Sequence, residues 1–180
     1  MTELADFEVG KKFNAEYGPV TRDMIQEYGN ASGDKNPIHM DEDFATNVGK
    51  LNGVIAHGML SYGVMINWLD EMIGPKGKIM KISGEMRGMV RPGDMYQFSA
   101  EVKSIDGNTV EFELVETSKT KIKIEKDGAT VEEFEAAERG WISEKDKKRG
   151  YLKTEEVPEG TLHYRERLSI PATATVVFEE

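Results

Sequence analysis

The chain has 180 residues, which at roughly 150 residues per domain is one full domain with a few tens of residues left over. Hydrophobic residues make up 38% and charged residues 31%, with seven Phe, six Tyr and two Trp; that is enough apolar material for a packed core and excludes a disordered chain. Lys and Arg total 23 against 33 Asp and Glu, a formal charge of −10, and there is no cysteine: a disulfide framework and a thiolate nucleophile are excluded, and nucleic acid or anionic lipid is a poor partner.

Residues 1–10 are acidic and lack the basic and apolar regions of a signal peptide. The stretch Leu51–Leu69 carries Asn52, His57, Ser61 and Asn67, a poor spanning segment, so a cytoplasmic location with no membrane attachment is expected. Thr21 to Tyr28 places Met24, Ile25 and Tyr28 on one helical face, with Thr21 as N-cap and an end near Gly29. The following Ala31–His39 segment contains Gly33 and Pro37 and reads as an ordered loop.

From Gly58 to Ile73 apolar residues cover nearly every helical direction, which predicts a helix wrapped by other elements and stopped by Gly74-Pro75. Gly63 in its middle suggests a close backbone contact. The period then changes to 2: Met80, Ile82, Met86 and Val90 alternate with Lys81, Ser83, Glu85 and Arg87, with Gly84 and Gly88 on the apolar face. Pro92-Gly93-Asp94 turns the chain; Phe98, Ala100 and Val102 alternate again; and Asp106-Gly107 signals a hairpin into Val110, Phe112 and Leu114. Ile122 and Ile124 lead to a second Asp-Gly turn at Asp127-Gly128, and a further strand is expected into Trp141.

Residues 144–160 have the charge, Pro and Gly of a linker, and Leu162, Tyr164, Leu168, Ile170, Ala172, Ala174, Val176 and Phe178 then fall on even positions. The division expected is a domain over residues 1–143, a charged linker over 144–160 and an extended segment over 161–180 docked on that domain or on a partner subunit. The fold class is α+β, one central helix followed by an antiparallel meander.

Asp34 and His39 lie five positions apart across a Pro-stiffened loop, so both side chains can face one point. A carboxylate and an imidazole sharing a water form a general base and general acid. The bland alternative is that Asp34 only forms a turn and His39 is a core histidine bonded to a carbonyl. Ala56-His57-Gly58-Met59 opens the apolar helix, where free N–H groups and the helix dipole favour a developing oxyanion at Gly58. For His57 the favoured reading is an N-terminal helix residue bonded to the neighbouring loop. With three His and no Cys, and without HExxH, GxSxG, Walker or GxGxxG patterns, no metal site and no cofactor is expected.

The run from Ala31 to His39, followed by Asp41, Ala45 and Gly49, by Ile55-Ala56-His57-Gly58-Met59-Leu60 and by Arg91-Pro92-Gly93-Asp94, resembles the signature of the MaoC-like, (R)-specific enoyl-CoA hydratase family over roughly residues 7–142. That resemblance implies a hot-dog fold, a long helix wrapped by an antiparallel sheet. It also implies reversible hydration of a trans-2-enoyl-CoA to the (R)-3-hydroxyacyl-CoA, with coenzyme A present only as part of the substrate. By position, Asp34 and His39 become the pair that activates water, Asn36 orders the loop, and Gly58 supplies the oxyanion N–H. His57 and Met59 lie beside the substrate. The family further implies a homodimer or dimer of dimers.

Coenzyme A is polyanionic, so a chain of net charge −10 needs a local basic patch for it. Arg87 and Arg91 are the candidates, with Lys119, Lys121 and Lys123 read either as further contacts or as protection of an edge strand. The run Lys145, Lys147, Lys148, Arg149 reads as solvated linker. Two alternatives stay open: an acyl-CoA thioesterase of the same fold, and a non-catalytic acyl-CoA-binding subunit.

Overall fold

The computed structural model describes residues 3–179; Met1, Thr2 and Glu180, the outermost residues of the acidic start and of the apolar-striped tail, lie outside the described residues. Strand β1 (Lys12–Tyr17) leads into helix α1 (Arg22–Ser32), whose N-cap is Thr21: its Oγ1 accepts from the Met24 N–H at 3.1 Å. The helix runs a turn beyond Gly29 and ends at Gly33, which takes the left-handed φ of +79°. Gly29 is there for closeness: a Cβ at that position would collide with Met40 Sδ.

The short helix α2 (Pro37–Met40) has Asn36 as N-cap and Pro37 in its first turn. A π-helical turn over Phe44–Val48 follows, and then α3 (Gly58–Ile73) has the bounds that its apolar run and Gly74-Pro75 dictate. Ser61, Met65, Leu69 and Ile73, four residues apart, form its buried stripe against the sheet. Trp68 stacks on Phe98 with ring centroids 5.3 Å apart, and Ser61 Oγ meets Tyr96 OH at 3.0 Å.

Seven antiparallel strands make one sheet: β1, β2 (Gly77–Gly84), β3 (Met95–Asp106), β4 (Thr109–Lys126), β5 (Ala129–Glu133), β6 (Leu152–Val157) and β7 (Gly160–Phe178). The order is β1-β3-β4-β7-β2, with β5 paired to the far end of β4 and β6 to that of β7. Helix α4 (Glu135–Glu138) and helix α5 (Glu144–Lys148) lie between β5 and β6. The core joins α3 residues Met65, Leu69 and Ile73 to Tyr96, Phe98, Phe112, Leu114, Ile170, Val176 and Phe178 of the sheet. This is the α+β hot-dog arrangement of a helix held by a curved antiparallel sheet. No helix among the described residues is long and apolar enough to cross a membrane.

Several expectations are corrected. The strands are not a sequential meander: β2 pairs with β7, at the other end of the chain. The segment expected as a docked tail is an interior strand, hydrogen-bonded to β4 on one side and to β2 and β6 on the other, and residues expected as linker form α5 and β6. A domain ending at residue 143 would lack a central strand. The chain after β5 turns into α4, so Trp141 stands in a loop rather than on a strand.

The alternating pattern over residues 80–90 also splits. Strand β2 ends at Gly84, and a bulge between Ile79 and Lys81 leaves Met80 facing outward at 58% exposure. Among the described residues Gly63 meets no close neighbour, against the close contact expected there; it borders an open groove. Strand β4 is flanked by β3 and β5 on one side and β7 on the other, so Lys119 and Lys123 are paired on both sides, and Lys121 falls in the gap between β3 and β5.

Candidate active site

Asp34 sits in the turn between α1 and α2. Its Oδ1 accepts from the Asn36 N–H at 3.1 Å, and Asn36 Oδ1 accepts from Ile38 N–H at 3.2 Å. These two side chains therefore set the loop and start α2, which in turn places His39 in the interior. His39 Nδ1 lies 2.8 Å from the Ile55 carbonyl oxygen. A carbonyl can only accept, so Nδ1 carries the proton, and Nε2 is left as the nitrogen for proton transfer.

His57, the N-cap of α3, binds the loop from the opposite side. Its Nε2 donates to the Asp34 carbonyl at 3.1 Å, and its ring lies 4.0 Å from that of His39 and 4.9 Å from that of Tyr28, centroid to centroid. Burial holds the His57 pKa below the usual histidine value, which keeps the ring neutral. His57 thus stands at the helix terminus with its ring bonded to the neighbouring loop. Asp34, His39 and His57 each place a polar atom within 4.8 Å of the others.

Such a trio has the donor set of a metal site. The two imidazole rings are tilted by 31° to one another, and one nitrogen of each, Nδ1 of His39 and Nε2 of His57, already faces a backbone carbonyl. Gly58 opens α3 immediately beside the trio, and among the described residues no acceptor takes its N–H. Above its Cα, a Cβ would stand 2.8 Å from Met86 Cγ, so Met86 roofs the helix terminus. Sequence reasoning placed Met86 inside a strand; its position over Gly58 follows only from β2 ending at Gly84.

The other expected residues are dispersed. Met59 is 53% exposed on α3. Arg87 is exposed and pairs with Glu85 at 2.6 Å. Arg91 is buried, with its guanidinium 4.7 Å from the Trp141 ring centre, and lines a separate cavity with Arg165. Lys119 bridges to Glu155 at 2.6 Å, Lys121 lies over the Phe134 ring, and Lys123 pairs with Glu125.

Beside the trio, a groove of about 530 Å³ runs along α3, lined by Tyr28, Leu60, Gly63, Val64, Trp68 and Phe98 among others. Tyr28 belongs both to this groove and to the contact with His57. The Pro92-Gly93-Asp94 turn fixes the neighbouring backbone: Asp94 Oδ2 accepts from Arg91 N–H at 2.9 Å, and the Val90 carbonyl accepts from Ala56 N–H at 2.8 Å, one residue before His57.

Similar structures include the R-hydratase PhaJ1 from Pseudomonas aeruginosa, 18% identical with a TM-score of 0.66 and covering 98% of this chain and 85% of that one. Another is the (R)-hydratase from A. caviae involved in PHA biosynthesis, 17% identical with a TM-score of 0.62 and covering 96% and 98%. At such identities they share the fold. A segment of 78 residues, 42% of this chain, is 33% identical to the fatty acid synthase beta subunit TOXC of Cochliobolus carbonum, and spans 4% of that protein's length. The family model of the MaoC-like domain matches residues 6–133, more than half of the chain, and on that match the chain belongs to the MaoC-like dehydratase family.

Proposed function

We propose that this hydratase/dehydratase-family chain adds water reversibly to a trans-2-enoyl thioester of coenzyme A, giving the (R)-3-hydroxyacyl product. The observation that carries the reading is the convergence of Asp34, His39 and the free N–H of Gly58 at the start of α3. One of the pair Asp34/His39 removes a proton from water as its oxygen bonds to the substrate β-carbon. The thioester carbonyl becomes an enolate held by the Gly58 N–H, and the other member of the pair returns a proton to the α-carbon. His57 keeps Asp34 in register through the Asp34 carbonyl, and Asn36 holds the same loop through its cap.

The acyl chain has a route along the α3 groove, where Tyr28 and Leu60 lead away from His57. Coenzyme A enters only as part of the substrate, and no further cofactor has a step. Assembly as at least a homodimer belongs to the same reading: α3 is apolar on most sides, yet only one stripe of it is buried within the chain.

The test follows the loss of conjugated enoyl-thioester absorbance with a panel of trans-2-enoyl-CoAs, alongside a free-thiol assay. Absorbance loss without thiol release is expected. Thiol release would replace the reading with a thioesterase, and binding without turnover on any chain length would replace it with a non-catalytic acyl-CoA-binding subunit.

A further inference from the structure

In a chain of net charge −10, strand β7, helix α5 with its flanking residues and the segment around Arg91 enclose a cavity of about 200 Å³ whose wall is basic. Arg91, Lys145, Arg149, Arg165 and Arg167 line it, against a single carboxylate, Asp146. That carboxylate is already committed: Asp146 Oδ2 accepts from Ser143 N–H at 2.8 Å and Ser143 Oγ at 2.6 Å, and stands 4.0 Å from Arg165 Nη1.

Two of the guanidinium groups are deeply buried, Arg91 at 6% and Arg165 at 3% exposure. Arg165 spends Nη1 on the Trp141 carbonyl at 3.1 Å and Nη2 on Thr120 Oγ1 at 3.0 Å, both neutral acceptors. Its Nε, and Nη1 of Arg91, find no acceptor among the described residues. The buried carboxylate of Asp94 lies close enough to act on both charges, yet it accepts from neither of these two N–H groups, and buried donors left without an acceptor are unfavourable until one, such as an anion in the cavity, joins them. Burial, and after it the like charge of Arg165, brings the Arg91 pKa down to about 10, so Arg91 remains cationic at neutral pH; burial likewise lowers the Arg165 pKa.

We propose that this cavity binds a phosphoryl group. Guanidinium forks match the oxygens of a phosphate, and the cavity falls below the size of sites that enclose whole drug-sized ligands, so the occupant is free phosphate or the phosphate terminus of a larger molecule. Except for Met89 and Arg91, the lining comes from residues 141–167, beyond the matched family segment. The site is independent of the hydration reading, because it stands on charge and geometry away from Asp34 and His39.

Titration calorimetry at low ionic strength tests it, with inorganic phosphate, coenzyme A and 3′-dephospho-coenzyme A as probes and potassium chloride as control. The variants are Arg149→Ala and Arg167→Ala, neither of them fully buried, and their combination. Saturable one-site binding of phosphate or coenzyme A is expected, weakened at least about tenfold in the double variant. The melting temperature of the unliganded double variant should be equal to or above wild type, because the repulsion that Arg167 exerts on the buried Arg91 and Arg165 has been removed. If coenzyme A is sensitive to the variants and the 3′-dephospho form is not, the occupant is the 3′-phosphate; if only inorganic phosphate is sensitive, it is the free ion. Absence of saturable binding by all three probes, or binding that the double variant leaves unchanged, overturns the proposal. Because no turnover is measured, failure of the hydration assay leaves this result intact.

Discussion

Asp34 uses one carboxylate oxygen to shape its own loop, accepting from Asn36 N–H, and has another to offer a reacting water. Asparagine keeps the first function and loses the second. Asp34→Asn should therefore cut hydration by about 10²-fold or more with an unchanged melting temperature, whereas Asp34→Ala should also lower the melting temperature, because the turn loses its acceptor. Initial rates and thermal melts on the same preparations separate the two effects. A different acid records the cost of burial. Glu116 lies within the sheet with neither oxygen hydrogen-bonded to another described residue, and burial pushes its pKa from 4.5 up to about 8. Between those values the folded chain holds a proton that the unfolded chain has released, so this group's contribution to stability falls as pH rises, by at most about 1.4 kcal/mol per unit. Glu116→Gln should flatten that slope and stabilise the protein at pH 8 relative to wild type; denaturant midpoints at pH 5, 6.5 and 8 check it.

Among the elements, the segment from Glu85 to Asp94 does the most to join distant parts. It leaves the sheet at Gly84 and roofs Gly58 with Met86. The N–H groups of Arg87 and Gly88 donate to the Ser169 carbonyl, and Val90 ties to Ala56. Gly88 is required by closeness: a Cβ would collide with the Leu168 carbonyl oxygen and stand 2.9 Å from Ser169 Cα. Backbone cannot step aside as a side chain can, so Gly88→Ala should destabilise by roughly 1–3 kcal/mol, a fall of several degrees in melting temperature. A melt within a degree of wild type would mean that the segment is loosely held. Ser169 is available to this contact because β7 bulges where Glu116 and Thr117 face Ile170 and Leu168. The same bulge turns Leu168 outward, although the even-position pattern assigns it to the core.

At the scale of the molecule, β7 closes the fold. It pairs with β4 over most of its length and with β2 and β6 on its other side, so the last 19-residue strand is as central as any. A chain ending after residue 143 should fail to fold cooperatively, losing the melting transition and the sharp near-ultraviolet signal; a truncated chain with a wild-type melt would remove β7 from the essential sheet. The excursion between β4 and β7 is fastened to the site side of the molecule. Arg22 and Arg139 both pair with Glu135 and Glu42, and Trp141 Nε1 donates to the Asn52 carbonyl at 2.8 Å. That clamp holds the segment whose Trp141 ring lies against the Arg91 guanidinium.

The sequence by itself determined what depends on neighbours along the chain. The Thr21 cap, the bounds of α3, the Asp-Gly hairpins at residues 106–107 and 127–128, and the inward alternation of Phe98, Ala100, Val102, Val110, Phe112 and Leu114 are all local signals, and all are present in the fold. The site was half legible: Asp34, His39 and Gly58 stood out by spacing and resemblance, while the tautomer of His39 and the closeness of its ring to that of His57 depend on the distant Ile55 carbonyl and the start of α3. Only the tertiary structure decided which strands pair, because β2 finds its partner some ninety residues later and a local pattern does not specify a non-local register. It likewise decided that a run of lysines and arginines resembling a solvated linker should close on Arg91, since charges converge only where backbone pairing carries them.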